Sequence, residues 1–257
     1  MSSNVIACFK WVYDEADVVV DASLTPDFSR AKSKISEYDR NAIEAAVQVA
    51  AKSGGMPLGL TLGSSAAASG LKDALSRGLA EVYLIDCGAE APSDYRVVTE
   101  ALAKAIKTMP EVGLVICAEG SSDRYGRQTA SRLGAVLDWP TVTSVVSVET
   151  DGGSLKVSRK LEDSFETLAL PLPAVVAVLP EINNPDLPGM KAILAAKRKP
   201  QHTLEFASLS VDATPAVTVT AVTGLQNNRK QLVFDGPDEA TNVAEFIEAL
   251  RKEGTIS

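Results

Sequence analysis

The densest run of side chains able to do chemistry is Glu119-Gly120-Ser121-Ser122-Asp123-Arg124-Tyr125-Gly126-Arg127-Gln128-Thr129. It follows an apolar run over 113–118 that reads as a buried strand, and it leads into a helix expected over about 126–137. Small residues let the backbone approach a ligand closely, and the first turn of a helix offers free N–H groups and a partial positive charge. Ser121, Ser122 and Thr129 add hydroxyl donors, and Arg124 and Arg127 add positive charge. The chemistry that fits is phosphate binding. The run is neither G-x-x-x-x-G-K-[ST] nor G-x-G-x-x-G, and an ordinary capped helix start would show the same residues. Gly63-Ser64-Ser65 closes an earlier strand in the same style. Alone it reads as a helix N-cap; two such loops on one sheet edge would together line a nucleotide pocket.

Few other residues compete. His202 is the sole histidine, which excludes multi-histidine metal sites within the chain. Cys8, Cys87 and Cys117 are odd in number and widely spaced, so they form neither a disulfide framework nor a C-x-x-C site. They read as small core hydrophobes, since no base stands beside them. Glu162, Asp163 and Glu166 read as a solvated acidic turn. Lys191, Lys197, Arg198 and Lys199 read as partners of a helix C-terminus. His202 reads as a helix-end or surface residue. No paired catalytic carboxylates stand out.

The elements that must position these groups alternate. Strands are expected over 5–9, 58–62, 82–85 and 113–118. Between them lie a helix over 35–52, an Ala-rich helix ending near Gly78, and a helix capped by Ser93 that carries Val97, Val98, Leu102, Ala105 and Ile106. Ser36 is positioned to cap the first of these, with Asp39 three residues later and Ala42, Ile43, Ala46, Val47 and Ala50 at helical spacing. This order predicts an α/β fold with a doubly wound parallel sheet, Rossmann-like, and ligands at the carboxyl ends of its strands. Beyond Pro140 the pattern becomes β: strands over 141–149 and 155–160 around a turn at Asp151-Gly152-Gly153, then β character over 167–170 and 174–179. A loop over 180–189 and a short helix over 190–199 with a basic end follow.

The 257 residues, 46% hydrophobic and 23% charged, are enough for a sizeable core. The net charge of −8 argues against nucleic acid or an anionic membrane as partner. No apolar stretch is long enough to span a bilayer. The first residues show no charged leader with an apolar run and cleavage site, so a cytoplasmic location is expected. Residues 1–200 read as one α/β domain. Residues 201–257 have no strong core pattern, apart from a Val/Thr-rich extended stretch over 214–223 and a last helix over about 237–251 with Val243, Phe246, Ile247 and Leu250 on one face. Such a length is unusual for a free loop. It reads either as an arm that completes its packing on another chain or as a second small subdomain.

Taken together, several segments resemble the β subunit of the electron-transfer flavoproteins, close to the FixA-type branch. They are Cys8-Phe9-Lys10-Trp11-Val12, Lys34-Ile35-Ser36-Glu37-Tyr38-Asp39-Arg40-Asn41-Ala42-Ile43-Glu44-Ala45-Ala46, Leu75-Ser76-Arg77-Gly78, Gly120-Ser121-Ser122-Asp123 with Gln128, and Leu137-Asp138-Trp139-Pro140. The most specific is the run from Leu172-Pro173-Ala174-Val175 through Ile182-Asn183-Asn184-Pro185 to Met190-Lys191-Ala192-Ile193-Leu194-Ala195-Ala196-Lys197-Arg198-Lys199. The matches run in order from Cys8 to Lys199; the tail beyond His202 matches loosely.

The resemblance implies an electron carrier subunit, not a stand-alone enzyme, paired in a heterodimer with an α subunit that holds most of an FAD. The β subunit itself would hold an adenine nucleotide: AMP in housekeeping members, a second FAD in bifurcating ones that accept electrons from NADH. Partners would be flavin dehydrogenases such as acyl-CoA dehydrogenases, and quinone oxidoreductases, ferredoxin or flavodoxin. By position, the adenosine would meet Cys8, Lys10, Ser36, Leu62 and Gly63. The phosphates would meet Asp123, Arg124, Tyr125, Gly126, Arg127, Gln128 and Thr129, and Ser122 would also belong to the cofactor site. Pro185, Asp186, Leu187, Pro188, Gly189 and Met190 resemble the family's partner-recognition loop, with its apolar anchor at Met190. Two departures favour the FixA-type branch: Asn184-Pro185-Asp186-Leu187 replaces the Asn-Glu-Pro-Arg-Tyr run of many housekeeping members, and Arg124-Tyr125-Gly126-Arg127 precedes Gln128. The lack of an acid/base set suits a protein whose chemistry belongs to its flavin. A contrasting reading is an ATP-binding regulatory protein of the related nucleotide-binding α/β group.

Overall fold

The computed structural model describes residues 3–151, 154–225 and 229–256. Of the expected turn at Asp151-Gly152-Gly153, the two glycines lie outside the described residues. In chain order the elements are β1 (Asn4–Cys8), β2 (Trp11–Tyr13), β3 (Val19–Val20), β4 (Pro26–Asp27), β5 (Ser33–Ile35), α1 (Glu37–Ser53), β6 (Pro57–Gly63), α2 (Leu71–Ser76), β7 (Glu81–Asp86), α3 (Tyr95–Thr108), β8 (Val112–Ala118) and α4 (Thr129–Leu137). There follow β9 (Thr141–Asp151), β10 (Ser154–Lys160), β11 (Phe165–Pro171), β12 (Ala174–Val178), α5 (Met190–Ala196), β13 (Gln201–Glu205) and α6 (Glu239–Lys252).

Nine strands form one sheet in the order β11-β10-β9-β12-β8-β1-β6-β7-β13. Every pairing from β9 through β13 along that order is parallel; only β9–β10 and β10–β11 are antiparallel. Alternate side chains divide the core between the two faces. Val5, Ala7 and Phe9 pack with Ala42, Ile43 and Ala46 of α1 and with Leu75 of α2. Ile6 and Cys8 pack with Leu102 and Ile106 of α3 and Leu133 of α4. The fold is thus the expected doubly wound α/β sheet, extended at one end by an antiparallel meander.

Local chemistry sets the helix ends. Gly54, at φ 75°, terminates α1 with its N–H on the Ala50 carbonyl. The α3 cap is Asp94, not Ser93: Asp94 Oδ1 accepts from the N–H groups of Arg96 (2.8 Å) and Val97 (3.2 Å), while Oδ2 accepts from Val217 N–H (2.8 Å). A carboxylate can serve all three donors, which a serine hydroxyl could not do. The helix expected from Gly126 begins at Thr129, because Arg127 takes a left-handed φ of 54° that no helix interior accommodates. The short helix after the 180–189 loop stops at Ala196, and the last helix runs from Glu239 to Lys252.

His202 is not at a helix end; it is a part-exposed residue of an edge strand, as the surface reading allowed. It lies in β13, pairs with Tyr83 across the sheet edge, stacks on that ring (centroids 4.4 Å apart) and approaches Glu81 Oε2 through Nε2 at 3.0 Å. From there the chain is fastened to α3: Arg96 donates to Asp212 O at 3.1 Å and to Thr214 O, and Lys104 Nζ donates to Ser210 O. It then meets the β3–β4 hairpin, where Gly224 N–H donates to Leu24 O at 2.7 Å. No strand forms over 214–223. Val243 and Phe246 of α6 are exposed. No helix among the described residues is long and apolar enough to cross a membrane.

Candidate functional site

The strand order reverses at β1. The chain passes from β1 to β6 and β7 on one side, then returns to lay β8 on the other. A crevice opens at the carboxyl ends of strands flanking such a reversal. There a cleft of about 280 Å³ is lined by apolar groups, including Cys8, Leu60, Leu62 and Cys117, and by polar ones, including Lys10, Asp39, Asp123, Arg124 and Thr129. Its size is near the lower end for small-molecule sites.

The 119–128 loop is held from several directions. Ser122 N–H donates to Ser36 Oγ at 3.2 Å. Ser36 is fully buried, and its side chain does not cap α1 as the sequence led us to expect; its hydroxyl serves the loop across the junction. The Tyr125 ring lies 5.1 Å from the Tyr38 ring. It also covers Gly120, where a Cβ would come within 2.5 Å of Tyr125 Cδ2. A Cβ on Gly126 would stand 1.9 Å from Tyr95 Oη. The left-handed residues are not the glycine but its neighbours, Tyr125 (φ 45°) and Arg127 (φ 54°).

Arg127 was expected to offer positive charge to a ligand. Instead its Nε and Nη2 both donate to Glu119 Oε1, at 3.0 and 2.7 Å, and this pairing raises the guanidinium pKa further. Arg124 Nη1 donates to Ser93 O at 3.0 Å, a neutral partner. Lys10 donates through its backbone N–H to Asp39 Oδ2 at 2.8 Å and pairs through Nζ with Asp123. Burial works to raise the Asp123 carboxyl, but the Lys10 ammonium and the Ser121 hydroxyl outweigh it and hold it below its ordinary value. For Asp39 burial wins, pushing the carboxyl up to about 8 against the Lys10 N–H and the Lys10 charge.

Cys87 and Cys117 are poor nucleophiles. A hydrogen bond with Cys8 and burial raise the Cys117 thiol well above its ordinary value, and burial pushes Cys87 up to about 11. Among the described residues no group of three or more His, Cys, Asp or Glu could hold a metal.

Of the residues expected at the site, Cys8, Lys10, Leu62, Asp123, Arg124, Gly126, Arg127 and Thr129 line the cleft. Ser36, Gly63, Ser122, Tyr125 and Gln128 do not line it; Ser36, Ser122 and Tyr125 brace the loop, Gly63 O accepts from Cys87 N–H, and Gln128 Oε1 accepts from Arg132 Nε. Asp39 and Tyr95 were missed. Asp39 was legible only as a first-turn helix acid, and Tyr95 lies just after the serine taken for a cap.

The cleft has features that suit a nucleotide. The α4 start lacks a side-chain cap hydrogen bond, which leaves first-turn N–H groups for an anion. Thr129 adds a hydroxyl at the lining. The apolar lining suits a flat heterocycle.

Pro185, Asp186, Leu187, Pro188, Gly189 and Met190 lie elsewhere and do not line the cleft. They bridge a short turn (Pro180–Ile182) and α5, with Leu187 84% and Met190 73% exposed. A family model described as electron transfer flavoprotein domain matches residues 25–209, well over half of the chain.

Proposed function

Because the chain belongs to the electron transfer flavoprotein domain family, we propose that it is the β subunit of a heterodimeric carrier of the FixA-type branch, with an adenine nucleotide in the switch-point cleft. The observation that carries this reading is the uncapped start of α4 beside a braced loop at the carboxyl ends of β1 and β8.

In this reading Cys8, Lys10 and Leu62 border the adenosine, and Ser36 and Gly63 support that wall from behind. Thr129 and the α4 amides meet the phosphates, Arg124 adds positive charge, and Ser122 braces the loop behind them. Lys10 leaves Asp123 or shares its ammonium with the ligand. Tyr125, Arg127 and Gln128 act by shaping the loop. The bound flavin supplies the redox chemistry, so the chain is an electron carrier subunit and needs no acid/base set.

Residues 201–257 are, in this proposal, an arm whose first part is fastened to α3 and whose α6 face packs on the α subunit. The loop from Pro185 to Met190 meets redox partners: flavin dehydrogenases such as acyl-CoA dehydrogenases, quinone oxidoreductases, ferredoxin or flavodoxin. A bifurcating form would carry FAD in the cleft and take electrons from NADH.

The test is to purify the chain with its partner subunit and count released nucleotides. One FAD and one AMP per heterodimer supports a housekeeping carrier; two FAD supports the bifurcating form. A homodimer that binds ATP and needs no flavin-bearing subunit would replace this reading with the regulatory one.

A further inference from the structure

Glu119 immediately follows β8 and is a charged residue buried at the edge of the cleft, with its side chain only 4% exposed. Its carboxylate is fully engaged. Oε1 takes both Nε and Nη2 of Arg127, and Oε2 takes Ser144 N–H at 2.8 Å. Both partners are backbone outliers, Arg127 at φ 54° and Ser144 at φ 58°. Non-glycine residues in this region carry strain that the surrounding structure must offset.

Ser144 is also where β9 holds one residue more than β12: Val142 pairs with Val176 and Val145 with Val178. That count defines a β-bulge, a feature that re-aims backbone next to functional sites. Glu119 therefore ties the bulge in β9 to the loop before α4, and its own N–H is fixed on Val178 O at 2.9 Å.

We infer that Glu119 is a positioning residue: through Arg127 and Ser144 it fixes the 119–128 loop in the one geometry that presents the α4 amides to a phosphate. This rests on the proposed nucleotide site. The inference departs from an Arg127 that binds phosphate directly, because the guanidinium is already matched by a buried carboxylate. It also separates two parts of one ligand, since the bridge's hydrogen bonds run from Glu119 to Arg127 and Ser144 and the lining at Leu60 and Leu62 is apolar.

The experiment uses the full chain with its co-purifying subunit, stripped of resident nucleotide, and AMP and adenosine as probes. Glu119→Gln keeps the volume but offers a donor where one of its two partners needs an acceptor. AMP binding should weaken about tenfold while adenosine binding holds, and Arg127→Met should do the same. The double variant should lose no more than about tenfold, since residues acting as one unit are not additive. Equal loss of AMP and adenosine, additive losses, or unchanged AMP binding would each overturn the assignment. Glu119→Asp, too short to reach both partners, serves where Glu119→Gln does not fold. A wild-type chain that binds neither probe would overturn the nucleotide site itself, and the bridge's role with it.

Discussion

Asn41 and Asn183, separated by 142 residues, exchange hydrogen bonds: Asn41 Nδ2 donates to Asn183 O and Oδ1, both at 3.0 Å, and Asn183 Nδ2 donates to Asn41 O at 3.0 Å. Asn41 Nδ2 also reaches Pro180 O at 3.1 Å. The pair joins the second turn of α1 to the base of the exposed loop that ends at Met190. Two residues earlier on the same helix, Asp39 lines the cleft. One helix start thus supports both the proposed nucleotide site and the proposed partner loop.

Removing the buried Asn41 amide takes the side-chain donor from Pro180 O and from Asn183 O and Oδ1. Asn41→Ala should cost about 1–3 kcal/mol, the penalty for unsatisfied buried groups. Denaturant unfolding monitored by tryptophan fluorescence measures it. A midpoint unchanged from wild type would show that water replaces the lost amide without cost.

Gly126 needs to be glycine for steric reasons, not conformational ones. Its neighbours hold the left-handed angles, while a Cβ at Gly126 would overlap Tyr95 Oη. Gly126→Ala must therefore push Tyr95 or the loop aside, and both line the cleft. Nucleotide released from the purified variant on denaturation should fall to less than about half of the wild-type amount, in keeping with a 1–3 kcal/mol cost of overpacking. Full occupancy would place the ligand away from this loop.

Asp39 predicts a pH dependence of definite sign. Its carboxyl titrates at about 8 in the folded chain and near the ordinary 3.8 when unfolded. Between those values the folded state holds a proton that the unfolded state has lost. Its contribution is therefore complete below about pH 4, declines as pH rises, and is spent above about pH 8. Asp39→Asn keeps an acceptor for Lys10 N–H and removes the titration. The variant should show a flatter stability profile from pH 5 to 8 and exceed wild type at the alkaline end. Parallel profiles for the two proteins would mean that Asp39 stays ionised in the fold.

The parallel sheet was legible because buried strands such as Val5-Ile6-Ala7-Cys8-Phe9 are continuous apolar runs and α1 carries its apolar residues at helical spacing. β13 was not. Of Gln201-His202-Thr203-Leu204-Glu205 only Leu204 is aliphatic, and the strand exists because the β7 backbone offers an unpaired edge. At the site, residue types and order pointed to a loop that borders the cleft, but gave no sign that Arg127 pairs with Glu119. Its partner Glu119 was in plain view eight residues earlier, but only the left-handed turns at Tyr125 and Arg127 fold the chain back far enough for them to meet. Backbone outliers at non-glycine residues leave no mark in composition or periodicity.

Met190 gives the sharpest test of the proposed partner loop. It is 73% exposed at the first position of α5, with Leu187 at 84% three residues before it. Neither side chain contributes to a core cluster of the chain, so Met190→Glu should change stability by less than about 0.5 kcal/mol. An apolar anchor buried on binding behaves otherwise, because a charge there must be desolvated without a partner. Electron transfer from a donor flavin dehydrogenase should therefore slow at least about tenfold at low donor concentration, as expected for the loss of a central anchor. Because the substitution acts on docking, the rate should recover as donor concentration rises. Stopped-flow measurement of flavin absorbance against donor concentration separates the two regimes. A rate lowered equally at all concentrations would locate the defect at the cofactor, and an unchanged rate would remove this loop from the partner interface.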